Sequence, residues 1–461
     1  MNSIFRTLKM LDYMRMVLGI CIMIDGYPLI FFFRDAMRLA PGNTTFTALA
    51  LAGGLILCVP FTVLRRLYRP NFTLFWLGLG FIVVCIFYMY VYMGDLSFQP
   101  KDYQKDLIYY TYILIFLFIL INVPNDIAQV FIPVVVLFTL VSNMGLVYSL
   151  ITDPSWTLGQ RATITLNNND EGSGNPHVFS RNAYMSIIAC AIWLFRPNTN
   201  FFFKLIALFS GVFSVAILIL TQTRSATLAF IFAVIIFFYF NVRPAQIRST
   251  VRSLFRPGPI LIMLIGVLAI VFLLKKYYGV YSIVEGYLSN FIERNMENVY
   301  AILGLKAKGT NYKAVLDDSA AGRTFSTTFF SNVLVGHLHR LVFGFGYKYL
   351  YLDIPLLESL TNFGIVGFAL FGGLNGLIVY HVFGIMRANP NPLSVFLAYF
   401  YLLLLVQLFV NGRPNEIWFW FPLGLMMRFI GVEHLFPAYL SDPKTPPVEE
   451  TYAVVPNAQS V

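Results

Sequence analysis

One stretch decides how this chain is organised. It runs from Gly322 to Gly367 and has the sequence GRTFSTTFFSNVLVGHLHRLVFGFGYKYLYLDIPLLESLTNFGIVG. Here a long polar segment passes into a run of hydrophobic helices. Polar residues crowded against a membrane surface cost free energy unless they pair with or bind something. The stretch therefore predicts the substrate-binding end of an integral membrane protein.

The composition places the chain among membrane proteins. Of its 461 residues, 58% are hydrophobic and 12% are charged, which is far from the balance of a soluble domain. The net charge is +10, but the basic residues are scattered over short loops, which argues against nucleic-acid binding. All four cysteines lie in apolar runs and are expected to be small apolar fillers. They are Cys21, Cys58, Cys85 and Cys190.

Apolar stretches long enough to cross about 30 Å of hydrocarbon recur along the chain. They predict an all-α polytopic fold with about twelve transmembrane helices. The predicted spans are 14–33, 46–64, 73–93, 107–122, 127–150, 182–196, 201–221, 225–241, 259–275, 356–385, 391–411 and 415–432.

The distribution of basic residues predicts the orientation. Lys and Arg are more numerous in the segments that lie inside when the N-terminus is inside, such as the cluster from Arg243 to Arg256, than in the short outside loops. The positive-inside rule therefore predicts that both termini are cytoplasmic. The domains are then N-terminal helices 1–150, a first outside loop 151–181, central helices 182–275, a second outside loop 276–355 with an amphipathic helix, C-terminal helices 356–432 and a cytoplasmic tail 433–461.

Four arginines in the predicted outside loops are candidate anion-binding residues. A guanidinium stays charged and matches phosphate oxygens with a rigid fork of donors, so a pyrophosphate-linked lipid is the predicted ligand. The alternatives are interfacial snorkelling for Arg224, a surface ion pair for Arg323 on a turn beside Asp317 and Asp318, and solvated loop charge for the other two. The four candidates are Arg161, Arg181, Arg224 and Arg323.

Two carboxylates flank a predicted helix start. Asp353 and Glu358 lie on either side of Pro355, so Asp353 should precede the helix and Glu358 should fall in its first turns. The helix dipole favours carboxylates there, which would explain both without a catalytic role. The alternative is that one of them orients or deprotonates a sugar hydroxyl.

A glycine-rich turn precedes this helix. Gly344-Phe345-Gly346-Tyr347 lacks the Lys-Ser/Thr of a nucleotide-binding loop, and Tyr347 is instead a candidate for contact with a glycan. His337 and His339 are candidate acids or bases, but they lack the further ligands of a metal site. No carboxylate cluster in the predicted outside loops has the pattern of a metal site, which argues against a nucleotide-sugar glycosyltransferase.

Taken in order, these motifs resemble the bacterial O-antigen polymerase and O-antigen ligase superfamily. The resemblance covers roughly residues 150–370, and the N-terminal helices match only as membrane spans. The matching pieces are Asn175-Pro176-His177 through Arg181-Asn182-Ala183, the hairpin Thr221 to Ala226, Gly322-Arg323, the turn Gly344 to Tyr347, and Leu357 to Gly367.

The resemblance implies a glycosyltransferase-C-like helical fold in the bacterial inner membrane. It also implies transfer of an undecaprenyl-pyrophosphate-linked glycan to an acceptor hydroxyl at the periplasmic face, without metal or nucleotide. Arg161, Arg181 and Arg224 would then neutralise the pyrophosphate, and Arg323 would shape the acceptor side. A chain-length regulator is a candidate partner.

One departure favours a polymerase within the superfamily. Ligases that attach glycan to lipid A core carry a His after the glycine-rich turn, whereas here that region is Tyr351-Leu352-Asp353-Ile354-Pro355. Asp353 or Glu358 would then take the acceptor-facing role, with His337 as a further candidate base. The expected function is a polymerase for O-antigen, capsule or exopolysaccharide, and the alternatives are an O-antigen ligase and a transporter of lipid-linked glycan.

Overall fold

The fold was analysed in a computed structural model of the chain. The structure describes residues 2–60, 67–94, 102–157, 160–164, 175–196, 199–242, isolated positions between 264 and 292, 318–437 and 440. Every regular element within these ranges is a helix, as predicted.

The described residues form fourteen α-helices. In chain order they are α1 (Asn2–Asp25), α2 (Tyr27–Phe31), α3 (Thr44–Cys58), α4 (Phe72–Val91), α5 (Tyr103–Asn122), α6 (Ala128–Thr152), α7 (Pro176–Phe195), α8 (Phe201–Thr221), α9 (Arg224–Asn241), α10 (Asp318–Gly336), α11 (Arg340–Phe343), α12 (Pro355–Ala388), α13 (Pro392–Val410) and α14 (Ile417–Phe429). A π-helical turn, Phe32–Ala36, continues α2.

Eight of these helices are long and apolar enough to cross a membrane, so the chain is an all-helical polytopic membrane protein. They are α4 to α9, α12 and α13, and they confirm eight of the predicted spans. The predicted spans 46–64 and 415–432 correspond to shorter apolar helices of 15 and 13 residues. The predicted span 259–275 and the predicted amphipathic helix lie outside the described residues, apart from isolated positions.

The predicted span 14–33 is wrong in one respect, because it is not continuous. The chain bends by 79° between Asp25 and Tyr27, so α1 and α2 count as one span at most. Gly26 lies at the bend, where a Cβ would come within 2.3 Å of the Ile22 carbonyl oxygen, and Pro28 lies in the first turn of α2. Both residues are apolar or neutral, so hydropathy alone does not detect the bend.

The helix α12 is interrupted at Gly364, and the glycine-rich turn forms hydrogen bonds with α12 at this interruption. Gly364 has φ 69° and ψ −165°, a backbone conformation that is accessible essentially only to glycine. The turn takes its place in the hydrogen-bond ladder, because Phe345 N donates to Thr361 O (2.8 Å) and Gly346 N donates to Asn362 O (3.1 Å). These carbonyls would otherwise accept from the next turn of α12.

Polar side chains also join the helices inside the bundle. Asn182 on α7 donates to Asn143 Oδ1 on α6 (2.7 Å), Asn143 donates to Ser214 Oγ on α8 (3.0 Å), and Ser214 donates to Ser186 Oγ (2.8 Å). All four residues are buried. In an apolar surrounding such side chains need partners from other helices, and small serines let α7 and α8 approach closely.

We predict that Gly364→Ala strongly destabilises the fold. An added Cβ would lie 2.4 Å from the Val342 carbonyl oxygen, and alanine at φ 69° is strained. The expected cost is about 2 kcal/mol or more, measured as a lower melting temperature of the purified protein in detergent. Gly373→Ala on the same helix is the matched control, because a Cβ there meets nothing within 4 Å and alanine favours a helix. Equal melting temperatures for the two variants would contradict the prediction.

Candidate functional site

The candidate site lies at one end of the bundle, which we call the site end. Its parts are the N-terminal turns of α5, α7, α9, α12 and α14 and the segments that precede them. Loops from distant parts of the chain meet here.

Glu358 is the most buried carboxylate of the site end. It lies in the first turn of α12, as predicted, and Asp353 precedes the helix. Glu358 is 0% exposed. Its Oε2 accepts from Leu352 N (2.9 Å), its Oε1 accepts from Asn362 Nδ2 (3.2 Å), and Arg413 Nε lies 3.8 Å from Oε1. Both oxygens are thus engaged within the protein, which makes Glu358 a residue that fixes the loop before α12.

Arg413 and Glu416 form a compact turn between α13 and α14. Arg413 N donates to Glu416 Oε2 (3.3 Å), and the Arg413 guanidinium stacks 4.8 Å above the Tyr351 ring. Glu416 is only partly exposed, and burial raises the pKa of its carboxyl, although the nearby Arg413 opposes this shift. Sequence analysis did not select either residue. The polar run Asn411 to Glu416 between two apolar helices was the available signal.

Asp106 anchors the glycine-rich turn to α5. Lys348 Nζ lies 2.6 Å from both carboxylate oxygens of Asp106, and Tyr347 donates to Asp106 Oδ2 (2.9 Å). Asn415 Nδ2 also donates to the Tyr347 hydroxyl (3.4 Å). Burial, together with Asp106, raises the pKa of Tyr347. Asp106 therefore joins α5 to the glycine-rich turn, and Tyr347 links this turn to the segment before α14. Asp106 was not among the residues predicted from the sequence.

Tyr347 does not take the predicted position of a glycan contact. It is 0% exposed, and its ring packs between Tyr103 and Phe363. Its hydroxyl is used by Asp106 and Tyr110, the latter at 3.2 Å. Tyr347 therefore positions the turn from inside the protein.

Asp353 is held just before α12. Its backbone N donates to Ser326 Oγ on α10 (3.2 Å). Burial and the neighbouring Asp353 raise the pKa of Tyr351. Asp353 is partly exposed, so it lies near the surface of the site end.

Arg181 braces the helix ends from inside the bundle. It is 4% exposed. Its guanidinium donates to the carbonyl oxygens of Ile24, at the end of α1, and Trp418, at the start of α14. Asp25 Oδ1 lies 3.7 Å from Nε. The predicted role as a phosphate ligand does not fit this position, because the donors point at backbone carbonyls and the side chain is inaccessible.

Arg161 and Arg224 lie at the site end. Ala162 N donates to Leu220 O at the end of α8 (2.9 Å), which places Arg161 beside the hairpin. Arg161 is exposed and close enough to His177, on the first turn of α7, to interact electrostatically. Arg224 is the first residue of α9 and follows Gln222 in the left-handed conformation, which confirms the predicted tight hairpin.

The remaining candidates lie on or near α10. Arg323 is part of this helix, so the predicted turn at Gly322-Arg323 is wrong. His337 and His339 follow the end of α10, are exposed, and have ring centroids 6.2 Å apart. The carboxylates of Asp106 and Glu358 are contacted instead by Tyr347, Lys348, Leu352, Asn362 and Arg413.

Comparison with known proteins adds no relative. No protein-family model matches the chain, and no curated protein sequence is significantly similar to it.

We predict that Arg181→Lys destabilises the protein. Lysine keeps the charge, but its ammonium group cannot contact both carbonyl oxygens and Asp25 as the planar guanidinium does. Breaking such buried charged hydrogen bonds costs about 2–4 kcal/mol. The melting temperature in detergent should fall clearly. Arg161→Lys, at an exposed position, is the matched control and should melt like the wild type. A stable Arg181→Lys protein with lost ligand binding would instead support the phosphate role.

Proposed function

We propose that this protein is a polymerase that joins undecaprenyl-pyrophosphate-linked oligosaccharide repeat units into O-antigen, capsule or exopolysaccharide. The proposal includes the bacterial inner membrane as its location, about twelve spans in a glycosyltransferase-C-like arrangement, and cytoplasmic termini. The site end would then face the periplasm, where lipid-linked repeat units are presented.

One observation carries the proposal: ionisable and aromatic side chains from separate loops converge at one end of an apolar bundle. Two close groups of charged residues lie there, and all their members are buried or half-buried. One is Asp106 with Lys348, and the other is Arg413 with Glu358 and Glu416. Such groups are costly beside hydrocarbon and typically mark function in membrane proteins. Tyr351 adds a hydroxyl and a ring, the combination that suits a glycan.

Arg161 and Arg224 supply the chemistry for the donor. Both belong to the site end, and a guanidinium binds phosphate oxygens through paired charged hydrogen bonds. In the proposed reaction the bond between the donor's anomeric carbon and the pyrophosphate oxygen breaks, and the electron pair leaves with the pyrophosphate. Fixed positive charge there stabilises the transition state.

The acceptor is a hydroxyl of a second lipid-linked glycan. A polymerase fits the sequence better than a ligase because the segment Tyr351 to Pro355 carries no histidine. Asp353 and Tyr351 occupy this segment and interact electrostatically. The proposed partners are therefore the lipid-linked oligosaccharide, the bilayer and a chain-length regulator.

Deleting the gene tests the proposed function. Glycans attached to lipid A and to the undecaprenyl carrier would be separated by size. Single repeat units in place of a ladder of long chains are expected. Long chains stranded on the carrier would instead identify a ligase, and an unchanged profile would contradict both and favour transport or sensing.

Arg224→Ala tests the role in donor binding. Loss of one guanidinium at the transferring phosphate should reduce polymer formation at least about 100-fold, with normal abundance in the membrane. Arg387→Ala is the matched control, because Arg387 is exposed in the last turn of α12, at the opposite end of the bundle. A wild-type ladder from Arg224→Ala would exclude the phosphate role.

A further inference from the structure

The carboxylates of the site end differ in what their oxygens can still do. Glu358 is 0% exposed and accepts hydrogen bonds at both oxygens. Asp106 is held by Lys348 and Tyr347. Both carboxylates are thus occupied in holding the glycine-rich turn and the start of α12.

Glu416 differs from them in position and access. It is the residue before α14 and makes no side-chain cap to that helix. It is partly exposed, and Arg413 N donates to its Oε2 at 3.3 Å, which is a long hydrogen bond. The carboxylate is therefore held in place by its own turn and remains accessible from the surface of the site end.

The groups around Glu416 come from four segments. Arg413, Lys348 and Lys105 are the cations that interact with it, and Glu358 is the neighbouring acid. Two tyrosines also interact with it electrostatically: Tyr351 of the loop before α12, and Tyr27 after the bend at Gly26. A sugar hydroxyl that contacts Glu416 would lie close to Arg413, whose guanidinium also contacts Tyr351 and Glu358.

We infer that Glu416 is the general base that takes the proton from the acceptor hydroxyl, and that Arg413 is the residue that positions it. This inference rests on the proposed function and names a catalytic residue for it. Asp353, Glu358 and His337 are thereby replaced as the candidate base. Glu358 is fully buried with both oxygens engaged. Asp353, in the loop before α12, and His337, after α10, are not part of the turn that joins Arg413 to Glu416.

The proposed transfer forms one C–O bond at the anomeric carbon and breaks another. The acceptor O–H bond breaks, and its proton passes to a Glu416 carboxylate oxygen. The acceptor oxygen forms a bond to the donor's anomeric carbon while the bond from that carbon to the pyrophosphate oxygen breaks. The electron pair leaves on undecaprenyl pyrophosphate, and Glu416 later returns the proton to water.

The electrostatics of Glu416 suit this role. Burial raises the pKa of its carboxyl, and the cations Arg413, Lys348 and Lys105 limit the rise. A carboxylate with a raised pKa is a stronger base, while it is still ionised at a pH above that value. The rate should therefore fall when the pH is lowered through the raised pKa of Glu416, since the protonated acid cannot accept a proton.

The test uses the full-length protein in phospholipid nanodiscs with undecaprenyl-pyrophosphate repeat units isolated from the deletion strain. Glu416→Gln should lower kcat at least about 100-fold, the lower limit expected for loss of a general base, with KM for the donor unchanged. Glu416→Asp should recover part of the rate. Glu433→Gln is the matched control, because Glu433 binds Gly431 N at the opposite end of the bundle.

The outcomes separate this inference from the proposed function. If the wild type makes no polymer from the repeat units, the proposed function fails and the role of Glu416 fails with it. If the wild type polymerises and Glu416→Gln keeps the wild-type kcat, only the role of Glu416 is excluded.

If the Glu416→Gln variant does not fold, the pH dependence of the wild-type kcat/KM still tests the role of Glu416. A wild-type kcat/KM that stays constant as the pH is lowered from neutral would also exclude the base. If the role of Glu416 is merely structural, Glu416→Gln will have a lower melting temperature. The rate per folded molecule, and the fall of that rate at low pH, will then be the same as in the wild type.

Discussion

Charges in an apolar bundle must be compensated, and this condition shapes the whole site end. Lys348 and Asp106 meet at 2.6 Å although 242 residues separate them in the chain. Arg181 likewise joins the end of α1 to the start of α14 through two backbone carbonyls. Because an unpaired buried charge costs several kcal/mol, each contact fixes the relative position of distant segments. The loops of the site end are consequently held by the same interactions that hold the helices.

The two glycines Gly344 and Gly364 set how closely these loops approach the helices. Their positive φ angles let the turn replace two hydrogen bonds of the α12 backbone. Glu358 then reaches Leu352 N across the start of α12, and Tyr351 lies beneath Arg413. Backbone geometry thus decides which carboxylates turn inward, and it leaves Glu416 as the one we assign to the acceptor.

Part of this arrangement could be predicted from the sequence. Continuous apolarity located eight spans, and Pro355 correctly placed Asp353 before α12 and Glu358 within it. The bend at Gly26 was missed because the residues on both sides are apolar.

The errors at the site have a different physical cause. Residue type indicated charge and hydrogen-bonding capacity for Arg181 and Tyr347, but only the tertiary structure shows that both are buried. Asp106 and Glu416 were missed because a single acid near a helix end is common and gains meaning only from its neighbours.

The Lys348–Asp106 pair also affects the order in which the site can form during synthesis. At about 5–20 residues per second, Lys348 is synthesised roughly 10–50 s after Asp106. During this interval Asp106 lacks Tyr347 and Lys348, so this part of the site can assemble only after the glycine-rich turn has been made. Chains that stop before Tyr347 would lack both partners of this carboxylate.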